Sequence, residues 1–274
     1  MSLRIQNNIE AFNAHRQLSL TSSKMGKAME RLSSGYRINR AADDAAGLAI
    51  SEKLRAQIGG LAQAQRNALD AVSLVQTAEG ALQEVHTILQ RVRDLSVQYE
   101  NGTLSASDKT SIATEISELG QEIGRIRDTV AFNNQKLLDG STPTVTFQVG
   151  ANDGQTITIS TLDVYSSSST VMDSDFFTSY TSQTNRLSTL DGMIATVATH
   201  RATFGSTQNR LEHTLNNLSA YEENLRASES RIRDVDMASE MVSFTKLQIL
   251  QQAGTSMLAQ ANQLPQSVLS LLRS

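Results

Sequence analysis

The sequence predicts a mainly α protein, a long antiparallel helical bundle or coiled coil with a small β-hairpin region. Three observations carry that expectation. Positions 187, 190, 194, 197, 201, 204, 208, 211, 215, 218, 222 and 225 keep an unbroken alternation of three and four residues, the mark of a helix that buries one stripe. Aromatic residues make up 4% of the 274, Trp is absent and the only prolines are Pro143 and Pro265, which suits long helices packed side by side. Over about residues 142–162 the apolar period changes from helical to alternating.

In chain order, Ile5, Ile9, Phe12, Leu18, Met25, Met29 and Leu32 form the apolar stripe of a first helix, with a phase slip between Phe12 and Leu18. The stretch "RLSSGYRINRAADDAAGLAISEKL" then brings Gly35, Asp43, Asp44 and Gly47 together between two helix-forming segments. A loop that carries chemistry and a joint between helices compete for it. Asp43 and Asp44 precede an alanine-rich helix start, where a carboxylate accepts hydrogen bonds from free amides, so capping is favoured over a catalytic carboxylate pair. Glu52 and Lys53 read as ordinary exposed helix residues.

Beyond the joint, Ala71, Val75, Ala78, Leu82, Val85, Leu89 and Val92 make a heptad seam, and Leu74, Ala81, Ile88 and Leu95 make a second row beside it. Two stripes imply more than one neighbour, as in a bundle. Asn101-Gly102 breaks this helix. Asp108, or Ser107 before it, is the expected N-cap of an antiparallel return carrying Ile112, Ile116, Leu119, Ile123 and Ile126. Val145, Phe147 and Val149, then Ile157 and Ile159, flank "GANDG", an Asp-Gly turn signal. The following "VYSSSSTVMDSDFFTSYTSQ" is aperiodic and reads as loop with some local order.

The long helix beginning at Leu187 ends at a second joint, "RASESRIRDVDMASEM". The last helix carries Leu247, Leu250, Gly254, Met257, Ala261, Leu264, Val268 and Leu271; Pro265 removes one donor but the stripe keeps its register past it. The order helix, joint, bundle, hairpin, bundle, joint, helix is symmetric about the middle. Neither terminal helix can bury its stripe alone, so each needs the other and further copies of the chain.

Chemistry finds little support. His15, His86, His200 and His213 are dispersed, without metal-ligand spacing, and no phosphate loop or nucleophile elbow occurs. The expectation is a non-enzyme with no catalytic residue, metal or cofactor. Cysteine is absent, which excludes disulfides and thiolate sites. The net charge of -4 gives no reason to expect nucleic acid as partner, although the residues before Ala41 carry a surplus of five positive charges. No apolar run is long enough for a membrane span, and the N-terminus lacks the apolar core of a secretory signal.

Five motifs in order carry a resemblance: "RLSSGYRINRAADDAAGLAISEKLRAQIGGL", "VQTAEGALQEVHTILQRVRDLSVQ", "FNNQKLLDG", "NRLEHTLNNLSAYEENLRASESRIRDVDMASEM" and "QAGTSMLAQANQLPQSVLSLL". Together they resemble bacterial flagellin over essentially the whole chain, in a minimal form without large outer domains. The resemblance implies a structural subunit that polymerises into the extracellular flagellar filament used for swimming motility. It implies residues 1–40 as the N-terminal helix of an inner-tube domain plus spoke, 41–230 as a helical bundle domain, and 231–274 as the C-terminal inner-tube helix. Inner-tube assembly would fall to Ile5, Ile9, Phe12, Leu18, Met25, Leu32, Leu250, Met257, Leu264, Val268 and Leu271. The spoke would hold Gly35, Asp43, Asp44, Gly47, Arg231, Asp234 and Asp236. Further implied partners are the type III export apparatus, an export chaperone bound to residues 237–271, and the filament cap and junction proteins. Toll-like receptor 5 would meet Arg91, Leu95 and Glu115, and the Ser166 to Thr170 run is an open question for glycosylation. Two alternatives stay open on the sequence: a hook-filament junction protein of the same superfamily, and a soluble coiled-coil binding module.

Overall fold

The computed structural model describes residues 8–164, 174–182 and 185–271, with the side chains of 174, 175, 182 and 264–271 set aside. Among the described residues six α-helices occur in order: α1 (Ile9–Ser34), α2 (Ala45–Tyr99), α3 (Ala106–Thr129), α4 (Ser174–Thr178), α5 (Arg186–Arg233) and α6 (Met237–Leu271). Two small antiparallel hairpins lie between α3 and α4: β1 (Ala131–Phe132) with β2 (Gln135–Lys136), and β3 (Thr144–Gln148) with β4 (Thr156–Ser160). The chain divides into two compact units, one of Met1–Ala56 with Asn224–Ser274, the other of Gln57–Glu223.

The central unit owns the hydrophobic core. The α2 seam is closed to solvent, with Ala71, Val75, Ala78, Leu82, Val85, Leu89 and Val92 all at most 1% exposed. Ile116 and Ile123 of α3 and Leu190, Val197 and Leu211 of α5 join the same cluster. Polar contacts fix the direction of α5 on α2: Gln65 meets Ser219, Glu79 meets Arg201, and Asp191 meets Arg93, so one helix rises as the other falls. The three-four alternation thus marks the buried side of α5, as its spacing predicts.

Where α3 starts, the cap differs from expectation. Ser105 is the N-cap: its hydroxyl accepts from the Asp108 amide at 3.3 Å, and the Asp108 carboxylate accepts from the Ser105 amide at 3.0 Å. This reciprocal pair satisfies two free donors at once and holds the Asp108 carboxyl below its ordinary pKa, chiefly through the Ser105 hydroxyl.

β3 and β4 pair Val145 with Ile159 and Phe147 with Ile157, and the turn includes Gly154 at φ 79°. The β1–β2 hairpin has no counterpart in the periodicity. Its loop is Asn133-Asn134, both at left-handed φ (48° and 66°), as a type I′ turn requires and as Asn tolerates.

Within the aperiodic segment, residues 174–182 are more ordered than their sequence suggests. Phe176, Phe177 and Tyr180 are at most 2% exposed and meet edge to face, with ring centroids 5.3 Å (Phe176–Phe177) and 5.6 Å (Phe176–Tyr180) apart. Arg186 lies 5.0 Å from the Tyr99 ring and 5.2 Å from the Tyr180 ring, and pairs with Glu100 at 2.6 Å. Its guanidinium also donates to the Tyr180 and Thr181 carbonyls, each at 2.9 Å. Aromatic burial supplies order here without any period.

α4 seats on α3 at Gly120, where an added Cβ would overlap Phe177 and lie 2.6 Å from its Cγ. Gly120→Ala is therefore expected to destabilise the central unit by about 1–3 kcal/mol despite its higher helix propensity, read as a lower urea midpoint of the main unfolding transition.

Candidate functional site

The terminal unit pairs α1 with α6 antiparallel: Asn8 donates from Nδ2 to the Ala261 carbonyl at 2.7 Å, and Arg31 pairs with Glu240 at 3.9 Å at the other end. Asn8 also caps α1 by accepting from the Ala11 amide. The covered side of α1 is Ala11, Ala14, Leu18, Thr21, Met25, Ala28 and Leu32, again three and four apart; that of α6 is Phe244, Leu247, Gln251, Gly254, Leu258 and Ala261. Small residues at Ala11, Ala14, Thr21, Ala28, Gly254 and Ala261 interleave with larger ones in this seam, and an added Cβ on Gly254 would sit 3.2 Å from Leu18.

This arrangement explains the phase slip. Leu18, Met25 and Leu32 belong to the seam, whereas Ile9 (55% exposed), Phe12 (70%) and Met29 (53%) lie on the open side of α1. On α6, Leu247, Gly254 and Ala261 face the seam, but Leu250 (47%) and Met257 (64%) are open, as are Val242 (71%) and Ile249 (61%). The single stripe expected on each helix is thus two stripes, one covered and one not. Ile5 lies outside the described residues, as do the side chains of Leu264, Val268 and Leu271; α6 itself is continuous past Pro265.

The two joints are hydrogen-bonded to each other. α1 ends on Gly35 at φ 74°, whose amide donates to the Arg31 carbonyl. A left-handed residue there leaves glycine as the natural choice. The Val235 amide then donates to the Gly35 carbonyl at 3.0 Å, and the Arg37 amide to the Arg233 carbonyl at 2.7 Å, so Tyr36 and Asp234 form an isolated antiparallel bridge. The Arg37 guanidinium adds a bond to the Ile232 carbonyl at 2.6 Å. These contacts satisfy backbone groups that the broken helices leave open.

Around the bridge each acidic residue has a structural task. Asp43 accepts from the Arg40 and Asn39 amides at 3.1 and 3.3 Å, and the Arg40 bond first among several causes holds its carboxyl below the ordinary range. Asp44 accepts from the Gly47 amide at 2.9 Å and opens α2. Asp236 opens α6 by accepting from the Ala238 and Ser239 amides. Asp234 receives the Ser230 hydroxyl at 2.6 Å, and Arg231 reaches the Ser228 hydroxyl at 3.0 Å.

Sequence reasoning missed three members of this joint. Arg233 is 15% exposed at its side chain, pairs with Glu52 at 2.8 Å and lies 4.8 Å from the Tyr36 ring. Glu52 is exposed, as its sequence reads, and is in addition a joint residue. Ile38, 1% exposed, fills the space that Gly47 leaves. The only signal in the sequence was the aromatic Tyr36 within an otherwise small-residue and charged stretch.

In the central unit Arg91 and Glu115 are exposed and joined at 2.8 Å. Leu95 is 3% exposed and belongs to the core cluster, so its side chain offers no free surface in this fold. Desolvation lowers the His200 pKa, which favours its neutral form at pH 7. Among the described residues no group of three or more His, Asp or Glu is placed to hold a metal ion, and no helix is long and apolar enough to cross a membrane.

Comparison with known proteins adds two family matches, the bacterial flagellin N-terminal helical region over residues 5–142 and the bacterial flagellin C-terminal helical region over residues 187–272. A flagellin of Halalkalibacterium halodurans is 53% identical over 270 residues, covering 98% of this chain and 99% of that one. A flagellin of Bacillus subtilis is 49% identical over 304 residues, covering 99% and 100%. A flagellar filament 33 kDa core protein of Treponema phagedenis is 47% identical over 290 residues, covering 98% and 99%.

Two outcomes follow for the joint. An alanine Cβ at position 47 would overlap the Asp44 carboxylate and come within 2.8 Å of Ile38 Cδ1, so Gly47→Ala should cost about 1–3 kcal/mol, measured as a shift in the thermal unfolding of the terminal unit. The Arg233 hydrogen bond, ahead of opposing burial and a weaker Arg55 contribution, lowers the Glu52 pKa in the folded chain. Its contribution is thus complete above the unfolded value and fades as pH falls through the folded one. Glu52→Gln should make terminal-unit stability less sensitive to pH between about 6 and about 3, as followed by circular dichroism at each pH.

Proposed function

This chain belongs to the bacterial flagellin family, and from that premise we propose that the open faces of α1 and α6 are where its copies meet. It is a structural subunit of the extracellular flagellar filament that drives swimming, and its family is structural rather than enzymatic. One observation supports the assignment of the open faces above all. Of the fifteen large hydrophobic side chains that stand exposed among the described residues, ten lie on α1 and α6. Patches of that kind mark interaction surfaces, and here the partner is another copy.

On this reading residues 1–40 and 231–274 make the inner tube and spoke, and 41–230 the helical bundle domain. Ile9, Phe12, Leu250 and Met257 contact neighbouring subunits, whereas Leu18, Met25 and Leu32 hold α1 to α6 within one subunit. Gly35, Asp43, Asp44, Gly47, Arg231, Asp234 and Asp236 keep the two spokes together. Ile5, Leu264, Val268 and Leu271 complete the inner-tube set by their place in the sequence. The α1–α6 seam is thin, with Thr21, Ala28 and Ala261 its only buried members among the described residues. A helix pair of that kind is marginal in water, so its ordering is coupled to polymerisation.

The same open face of α6 must be covered before assembly, which is the task of an export chaperone while the chain awaits the type III apparatus. Cap and junction proteins meet it at the filament ends. For Toll-like receptor 5 the available surface is the Arg91–Glu115 pair, while Leu95 belongs to the core.

Seeded growth tests the reading. Purified chain added to sheared fragments of its own filaments should extend them into long homopolymers under electron microscopy. Ile249→Asp, which places a charge on the open face, should stop elongation while leaving the helical content of the central unit intact. A junction protein would give no long homopolymer, and a soluble coiled-coil module would hold a fixed mass in light scattering. Either of those results, or native-rate growth by Ile249→Asp, would overturn the proposal.

A further inference from the structure

The methionines of this chain are unevenly placed. There are eight, and with no cysteine present they are its only sulfur atoms. Met29, Met237, Met241 and Met257 are 53%, 48%, 50% and 64% exposed, and all four belong to the terminal helix pair. Met193, by contrast, is 2% exposed inside the central core. Met25 sits half-buried in the α1–α6 seam. A thioether is adaptable where a surface must fit several neighbours, but an exposed one is open to oxidants.

We propose that Met29, Met237, Met241 and Met257 form an oxidative-modification site that controls whether a free subunit can join the polymer. The inference rests on the reading that the open faces of α1 and α6 meet neighbouring copies. The oxidant is of the peroxide class. The thioether sulfur attacks one peroxide oxygen, the O–O bond breaks, a sulfoxide S–O bond forms, and the other oxygen leaves as water after proton transfer. Sulfur is oxidised by two electrons and hydrogen peroxide is reduced. The product is a polar acceptor on a surface that must be dried during assembly, so each sulfoxide opposes burial against the apolar face of a neighbouring copy. Because these four thioethers flank the α1–α6 seam rather than fill it, their oxidation acts on the outer contacts between copies.

The experiment uses full-length monomer treated with dilute hydrogen peroxide, peptide mass spectrometry to locate the sulfoxides, and seeded elongation scored by filament length. Modification of the four exposed residues with Met193 untouched is expected, with elongation slowed about tenfold or more. Treatment with reductases for both sulfoxide epimers should restore growth. The variant Met29→Leu, Met237→Leu, Met241→Leu and Met257→Leu has no exposed thioether among these positions, so peroxide should leave its elongation rate, whatever that rate is before treatment, unchanged. Should that variant fail to grow even without peroxide, reductase rescue of the wild-type chain decides the matter alone. Native-rate growth of monomer carrying all four sulfoxides, or growth that reductases cannot restore, would overturn the proposal. Failure of untreated wild-type chain to elongate would instead overturn the assembly reading beneath it.

Discussion

The terminal helices carry more apolar surface than one partner can cover, and this excess is the constraint on which the rest of the molecule depends. A helix offers a seam of about one stripe to one neighbour. α1 spends that stripe on Ala11, Ala14, Leu18, Thr21, Met25, Ala28 and Leu32, which leaves Ile9, Phe12, Leu20 and Met29 outside. α6 does the same with Phe244, Leu247, Gln251, Gly254, Leu258 and Ala261, which leaves Val242 and Ile249 among others. Each such side chain gains about 2 kcal/mol on full burial, so further neighbours are favoured wherever several can be covered together. A filament of identical subunits meets that need.

The joint shows how the chain can leave two helices without leaving polar groups stranded. Gly35 permits the left-handed turn, its carbonyl takes the Val235 amide, and the Arg233 carbonyl takes the Arg37 amide. Two segments nearly 200 residues apart in sequence thereby act as one short antiparallel ladder. The exposed ion pair between Glu52 and Arg233 adds little by charge alone, but Arg233 also stacks on Tyr36 and is largely covered. Geometry rather than Coulomb energy is its contribution.

Much of this was legible in the sequence because seam positions and capping residues act locally. The α2 seam from Ala71 to Val92 and the α5 alternation from Leu187 both mark buried faces, and the Asp-Gly signal marks a turn. What escaped were features whose meaning depends on a distant partner. Glu52 looks like any exposed glutamate until Arg233 is beside it. Phe176, Phe177 and Tyr180 follow no period, because a short aromatic cluster seated on Gly120 and clamped by Arg186 needs none. The N-cap of α3 went to Ser105 because a reciprocal box with Asp108 satisfies more donors than Asp108 alone. On α1 and α6 the apolar residues of two faces were merged into one stripe, since periodicity reports that residues are apolar and not which partner covers them.

The composition of the α1–α6 seam follows from the same logic. Small residues at Thr21, Ala28, Gly254 and Ala261 let the helices approach closely, and larger ones such as Leu18, Met25 and Leu247 supply its apolar area without being fully buried. The central unit has the opposite composition, with Leu82, Val85, Leu89 and Val92 of α2 fully closed against Ile116, Ile123, Leu190 and Val197. Apolar burial within one copy is thus concentrated in the central unit, and the terminal unit keeps a larger share of its apolar side chains open.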